Sequence, residues 1–171
     1  MNSNFGDLHG DSERLGSVSG FVNEFLEVVR PKQAFEGFSH SETVQLTQYF
    51  ECFGVPRDTV VLSEGDEGDF LLIFLTGEAV IARGQGGKAH ILSHVRPGDM
   101  VGEISFFDGH ARTASCVTRQ PSDIAVLSRD NFKILMATHP RLANKFLLLL
   151  LEQNVARLRQ QIGNQFPQGV V

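Results

Sequence analysis

Cysteine is scarce in this chain of 171 residues: Cys52 and Cys116 are the only two, far apart and without metal-ligand spacing. Neither a disulfide-stapled scaffold nor a zinc knuckle is expected, and both read as free thiols of a reducing compartment. Basic charge is not in excess either. Fifteen Lys and Arg against twenty Asp and Glu leave a formal net charge of −5 and a pI near 5.6. That balance lacks the positive footprint that draws phosphate backbones, so direct nucleic-acid binding is not expected. Long hydrophobic runs are missing as well. The longest, FLLLLL at 146–151, falls far short of the roughly 18 residues of a membrane span. Membrane insertion is not expected, and the run must be buried in protein. The first twenty residues, MNSNFGDLHGDSERLGSVSG, have no apolar h-region and are polar and rich in Gly and Ser. They predict a disordered lead over 1–20 rather than a secretory signal, and a cytoplasmic location.

What is present suits one domain, with 18.9 kDa and a 42% hydrophobic content sufficient for a single core over 21–171. FVNEFLEVVR at 21–30 places Phe21, Phe25, Val28 and Val29 at helical spacing before Pro31 stops it. In SHSETVQLTQYFECFG, Ser39 and Glu42 form a capping box for a second helix. Leu46, Tyr49, Phe50 and Phe53 share its face, and Gly54 ends it. From about 55 to 128 the texture changes to short Val, Ile, Leu and Phe runs punctuated by Gly or Pro, the pattern of an all-β sandwich or roll. Helical texture returns at 130–162, with Asp130 as a cap and Pro140 in the first turn of a longer helix. On that helix Leu148, Leu151, Val155, Leu158 and Ile162 repeat at 3-4-3-4 spacing. This seam is either a dimer stripe or the face that docks on the roll.

One stretch carries the chemistry: VGEISFFDGHARTA, Val101 to Ala114. A glycine before a helical turn lets backbone N–H groups approach an anion, and a helix start favours negative charge, so Gly102 to Ser105 are candidate amides. Arg112 adds a permanent charge in a planar fork suited to two phosphate oxygens. Glu103 is the odd member, because an acid beside a phosphate repels it. Its presence makes sense if it accepts hydrogen bonds from ligand hydroxyls, such as a ribose 2′-OH, or pairs with Arg112. Phosphate, ribose and an apolar wall together imply a small cyclic nucleotide.

The stretch resembles the phosphate-binding cassette of cyclic nucleotide-binding domains. Gly102 and Glu103 open it, Ile104 to Phe107 form the apolar turn, Asp108 to Ala111 the tip, and Arg112, Thr113 and Ala114 close it. The likeness extends through LTGEAVI (75–81) and HILSHVRPGDMVGE (90–103), and covers roughly 21–162. It implies an α+β, mainly β fold: a double-stranded β-helix or jelly-roll β-roll with N-terminal helices and a long C-terminal lid helix. It also implies that Glu103 takes the ribose hydroxyl, that Arg112 takes the phosphate, and that the amides of Gly102, Ile104 and Ser105 cradle it. Thr113 and Ala114 would flank the arginine, and Thr113 permits cGMP without selecting it. The lid helix lacks a Thr-Ser pair in NVARLRQQ, leaving Arg157 or Leu158 to cap the base.

The implied ligand is cAMP ahead of cGMP, and the implied role is that of a sensor, not an enzyme, in which binding orders the cassette and brings the lid helix over the base. Alternatives are a cyclic di-GMP effector, a ligand-independent adaptor of the same fold, and a Glu103–Arg112 salt bridge that merely closes a turn. Only residues 163–171 follow Ile162. Output is therefore expected to pass through an unidentified effector protein, with homodimerisation through 141–162 as a further expectation. EGDEGD (64–69) lacks the remaining ligands of a calcium loop and reads as an acidic turn. GQGGK (84–88) reads as a hairpin, and His90 and His94 lack the partners of a metal site.

Overall fold

The computed structural model describes residues 5–8, 10, 12–17, 23, 25, 37–85 and 88–165. A short helix α1 (Phe5–Leu8) and strand β1 (Glu13–Ser17) precede helix α2 (His40–Thr47). Seven strands and one helix follow: β2 (Glu51–Val55), β3 (Val60–Leu62), β4 (Phe70–Phe74), β5 (Ala79–Gln85), β6 (Lys88–Val95), β7 (Met100–Val101), α3 (Glu103–Asp108) and β8 (Ser115–Thr118). The order closes with β9 (Ser122–Ser128), α4 (Arg129–Thr138) and α5 (Pro140–Gln165). The strands form two antiparallel sheets, β1-β2-β9-β4-β7 and β3-β8-β5-β6. The architecture is the mainly β, α+β jelly roll, with the long helix at its C-terminal end.

The period of two in a strand explains how the layers stack. In β4 every residue is buried, because alternate side chains enter different cores. Phe70, Leu72 and Phe74 point between the sheets, where they meet Val61, Leu62, Ala79, Val95 and Cys116. Leu71 and Ile73 point the other way and meet the helices through Leu46, Phe50, Phe132, Leu142 and Phe146. Strand β9 repeats the division, with Ile124 and Val126 inward and Ala125 and Leu127 toward the helices. Each fully buried Leu or Phe contributes about 1.5–3 kcal/mol, so the five-stranded sheet is the rigid middle layer. Cys52 and Cys116 lie one in each core, and burial pushes both thiols up to about 12.

Several boundaries differ from expectation. The capping box forms as predicted, with Glu42 N donating to Ser39 Oγ at 3.2 Å and Ser39 N to Glu42 Oε2 at 2.8 Å. The helix nevertheless ends at Thr47, and Phe53 and Gly54 lie in β2. Pairing of β2 with both β1 and β9 overrides the helical spacing, since it buries Cys52 and Phe53 on opposite faces. The predicted disordered lead contains a strand: β1 covers the outer edge of β2, and Phe5 is 1% exposed, with its ring 4.9 Å from Phe53 and 5.3 Å from Phe70. A sheet edge that would otherwise stay open and one aromatic anchor outweigh the polar composition. The expected helix at 21–30 lies, apart from Asn23 and Phe25, outside the described residues. Phe25 is buried, 6.1 Å from Phe50. Ser128, rather than Asp130, caps α4, accepting from Asn131 N at 3.1 Å. No described helix is long and apolar enough to cross a membrane.

Candidate functional site

The segment from β7 to β8 leaves the five-stranded sheet and enters the four-stranded one, so α3 and the turn after it bridge the two layers. Gly102 makes the first bend. Its φ of 84° is left-handed, and it stands as the N-cap of α3. A Cβ there would lie 2.7 Å from Arg112 Nη1 and 3.2 Å from Leu62 Cδ1, so the arginine packs directly on the glycine backbone. Gly109 ends α3 with a second left-handed φ of 72°, its N–H donating to Ser105 O at 3.1 Å. Ser105 Oγ donates to Ala111 O at 3.2 Å and ties the helix to the returning strand.

Arg112 is 4% exposed. Its Nη1 donates to Gly102 O at 2.7 Å and its Nη2 to Phe70 O at 2.6 Å, with the guanidinium carbon 4.9 Å from the Phe70 ring centroid. Burial pulls its pKa down to about 10, against the opposing pull of Asp69, Glu103 and Asp66. The side chain therefore stays cationic at neutral pH. No carboxylate among the described residues lies at ion-pair distance from it, so the expected alternative of a Glu103–Arg112 bridge is not what the structure shows.

Glu103 is 5% exposed and pairs instead with Arg157 of α5, whose Nη1 donates to Glu103 Oε1 at 2.6 Å. Arg157 Nη2 donates to the Met100 carbonyl. The structure thus brings Gly102, Glu103, Ser105, Arg112 and Arg157 together. Ile104 is 51% exposed and Leu158 56% exposed, Thr113 is at the surface, and Ala114 is half-buried beside the arginine.

Residues that the sequence reading left out support this arrangement. The acidic turn at 64–69 crosses the cassette: Arg112 N donates to Asp66 O at 2.8 Å and Gly65 N to Arg112 O at 2.9 Å. Gly68 lies so close to α3 that a Cβ on it would sit 2.3 Å from Ser105 Cβ. Arg129 at the start of α4 donates from Nη2 to Gly68 O at 2.9 Å and to Ser105 O at 3.1 Å, fastening turn, cassette and helix together. The two glycines of EGDEGD, a stretch that reads from sequence as an acidic turn, are the available signal for this close approach. Among the described residues, no cluster of three His, Cys, Asp or Glu is placed to hold a metal.

A two-sheet roll bridged by a glycine-led helical turn, with a buried arginine offered to the same turn, defines a β-roll ligand-binding module. The family model of the cyclic nucleotide-binding domain matches residues 52–139, from β2 through α4 and across the whole cassette. The chain belongs to the cyclic nucleotide-binding domain family, whose members are ligand-binding regulatory domains related to cAMP-responsive regulators. It is 30% identical over 139 residues to a CRP-like cAMP-activated global transcriptional regulator of Mycobacterium tuberculosis, covering 81% of this chain and 60% of that protein. Among solved structures, a cyclic nucleotide-binding domain from Methylobacillus flagellatus superposes with a TM-score of 0.88 at 36% identity, over 100% of this chain and 98% of the other. The catabolite activator protein of Thermus thermophilus gives a TM-score of 0.65 at 26% identity, over 75% and 62%. The chain thus spans about three fifths of the length of the first curated relative it matches.

Proposed function

We propose that this protein is a sensor of a cyclic purine mononucleotide, cAMP ahead of cGMP, that passes its state to an effector protein in the cytoplasm. Arg112 takes the equatorial phosphate oxygens, the amides of Gly102, Ile104 and Ser105 cradle them, and Glu103 accepts from the ribose 2′-hydroxyl. Thr113 and Ala114 border the phosphate, and the face of α5 around Arg157 and Leu158 covers the base. The cAMP-activated relative supports the preference for adenine. One observation carries the reading. Arg112 is a 4% exposed cation held by two carbonyls and a ring, with no carboxylate among the described residues at ion-pair distance. A buried charge is normally paired, and a phosphodiester supplies the missing anion.

The test is calorimetric titration with cAMP, cGMP and cyclic di-GMP, with Arg112→Ala and Arg112→Lys as variants whose folding is checked by circular dichroism. Micromolar or tighter binding of one mononucleotide is expected. Each charge-assisted hydrogen bond is worth about 1.5–3 kcal/mol, so losing two weakens binding by at least about a hundredfold in the alanine variant. The lysine variant retains the charge but not the fork and falls between. Absence of heat with all three nucleotides in the folded parent protein would refute the proposal.

A further inference from the structure

A buried acid beside a phosphate site needs an explanation, because its charge opposes the ligand's. Glu103 sits in the first turn of α3, close to where the proposed phosphate binds, and its side chain is 6% exposed. The structure supplies a counter-charge from 54 residues further along the chain. Arg157 Nη1 reaches Glu103 Oε1 at 2.6 Å while Nη2 holds the Met100 carbonyl at the end of β7. The guanidinium is therefore fixed by two acceptors, one on the strand leading into the cassette and one in the cassette helix itself. A carboxylate has about four acceptor directions on two oxygens, so an arginine on one oxygen leaves capacity for a ligand hydroxyl.

The placement on α5 adds a second consequence. Leu149 and Leu150 are the last buried apolar side chains along this helix, and the described side chains from Leu151 onward are exposed or half-buried. Residues 151–159 have no buried side chain of their own to hold them against the body. Arg157 is the polar point at which that segment meets the cassette.

Resting on the nucleotide-binding reading above, the geometry points to Arg157 as the positioning residue for ribose recognition. It neutralises Glu103 and orients its carboxylate toward the 2′-hydroxyl, and so couples that hydroxyl to the docking of α5. Arg157 acts through Glu103 and through the helix that carries it. Coupling of this kind is reciprocal: a hydroxyl that strengthens the Glu103 arrangement also strengthens the hold on α5.

The experiment compares cAMP with 2′-deoxy-cAMP on the parent protein, Arg157→Ala and Arg157→Lys. A hydrogen bond to a charged group sets the parent preference for cAMP at about tenfold or more. In Arg157→Ala the preference is expected to fall toward one: both nucleotides lose the cover over the base and the neutralised acid, and cAMP loses the oriented 2′-hydroxyl contact as well. Arg157→Lys, which keeps a cation within reach of Glu103, restores part of it. Hydrogen exchange gives a second readout: cAMP slows exchange of residues 151–159 more than 2′-deoxy-cAMP does in the parent, and this difference disappears in Arg157→Ala. A parent-like preference in a folded Arg157→Ala, or equal weakening of both nucleotides, would overturn the assignment and leave Arg157 a structural contact. Failure of the parent protein to bind either nucleotide would instead remove the nucleotide-binding reading, and this inference with it.

Discussion

Replacing Gly102 with alanine separates two roles that one glycine performs. At φ 84° any residue with a Cβ bears a left-handed conformational cost of roughly 1–2 kcal/mol. The new Cβ also lies 2.7 Å from Arg112 Nη1, which must give way. Nη1 is pinned there by its 2.7 Å bond to Gly102 O, so the displacement adds to the folding cost and also moves the group proposed to hold the phosphate. Gly109 is the built-in control. Its φ of 72° bears the same conformational cost, but a Cβ there meets nothing nearer than Arg129 Nη1 at 3.9 Å. Gly109→Ala should lose about 1–2 kcal/mol of stability and Gly102→Ala at least as much, or roughly 2–4 °C in Tm per kcal/mol for a domain of this size. Nucleotide affinity should fall about tenfold or more in Gly102→Ala, as expected for a disturbed charge-assisted contact, and stay near the parent value in Gly109→Ala. Thermal unfolding and calorimetric titration on the same samples check both halves. Equal affinity in the two variants would show that the contact between Gly102 and Arg112 does not set the binding geometry.

Two further outcomes follow from α5. Lys145 Nζ donates to both oxygens of Glu42, at 2.7 and 2.8 Å, and these bonds together with Ser39 N hold the Glu42 carboxyl below its ordinary value of 4.5. A depressed carboxyl pKa adds stability that is present above the unfolded value and lost as pH falls through the folded one. Lys145→Met should therefore be less stable than the parent at pH 7, with the gap narrowing below about pH 4 in denaturant titrations; a gap constant from pH 7 to pH 3 would contradict this. The stripe Leu148, Leu151, Val155, Leu158 and Ile162 is 40–60% exposed, so its heptad spacing does not serve packing on the roll. If a second copy meets the same stripe, sedimentation is expected to show a dimer that the double variant Leu151→Gln, Leu158→Gln converts to monomer, whereas a parent protein monomeric at high micromolar concentration would exclude it.

The roll was legible because its strands are short, apolar and closed by Gly or Pro, and because FLLIF can be buried on both faces only inside a layered fold. Where local spacing was ambiguous, long-range pairing decided. QYFECFG satisfies a helical face as well as a strand, and only the neighbouring β1 and β9 select the strand for ECFGV. Leu15 and Phe5 are single apolar residues in a polar stretch, too few to register as a period, yet they pack against the core that β2 helps build.

Within the site, legibility followed backbone constraint rather than side-chain charge. Gly102, Glu103 and Arg112 could be read together because a left-handed entry, a helical turn and a returning cation recur at fixed spacing in one continuous segment. Their partners could not. Sequence offers Glu103 a nearby cation in Arg112, nine positions away, and the short loop makes that pair plausible by distance alone. The fold instead turns Arg112 toward the carbonyls of Gly102 and Phe70 and brings Arg157 across from another helix. The two arginines thus divide the labour: the one buried to 4% exposure makes no direct ion pair among the described residues, and the one still 40% exposed makes it with Glu103. Had Glu103 neutralised Arg112, the buried cation would have had little left to offer an anion. Pairing the acid with a separate arginine on α5 leaves Arg112 available for the proposed phosphate and ties the acid's environment to the position of a helix.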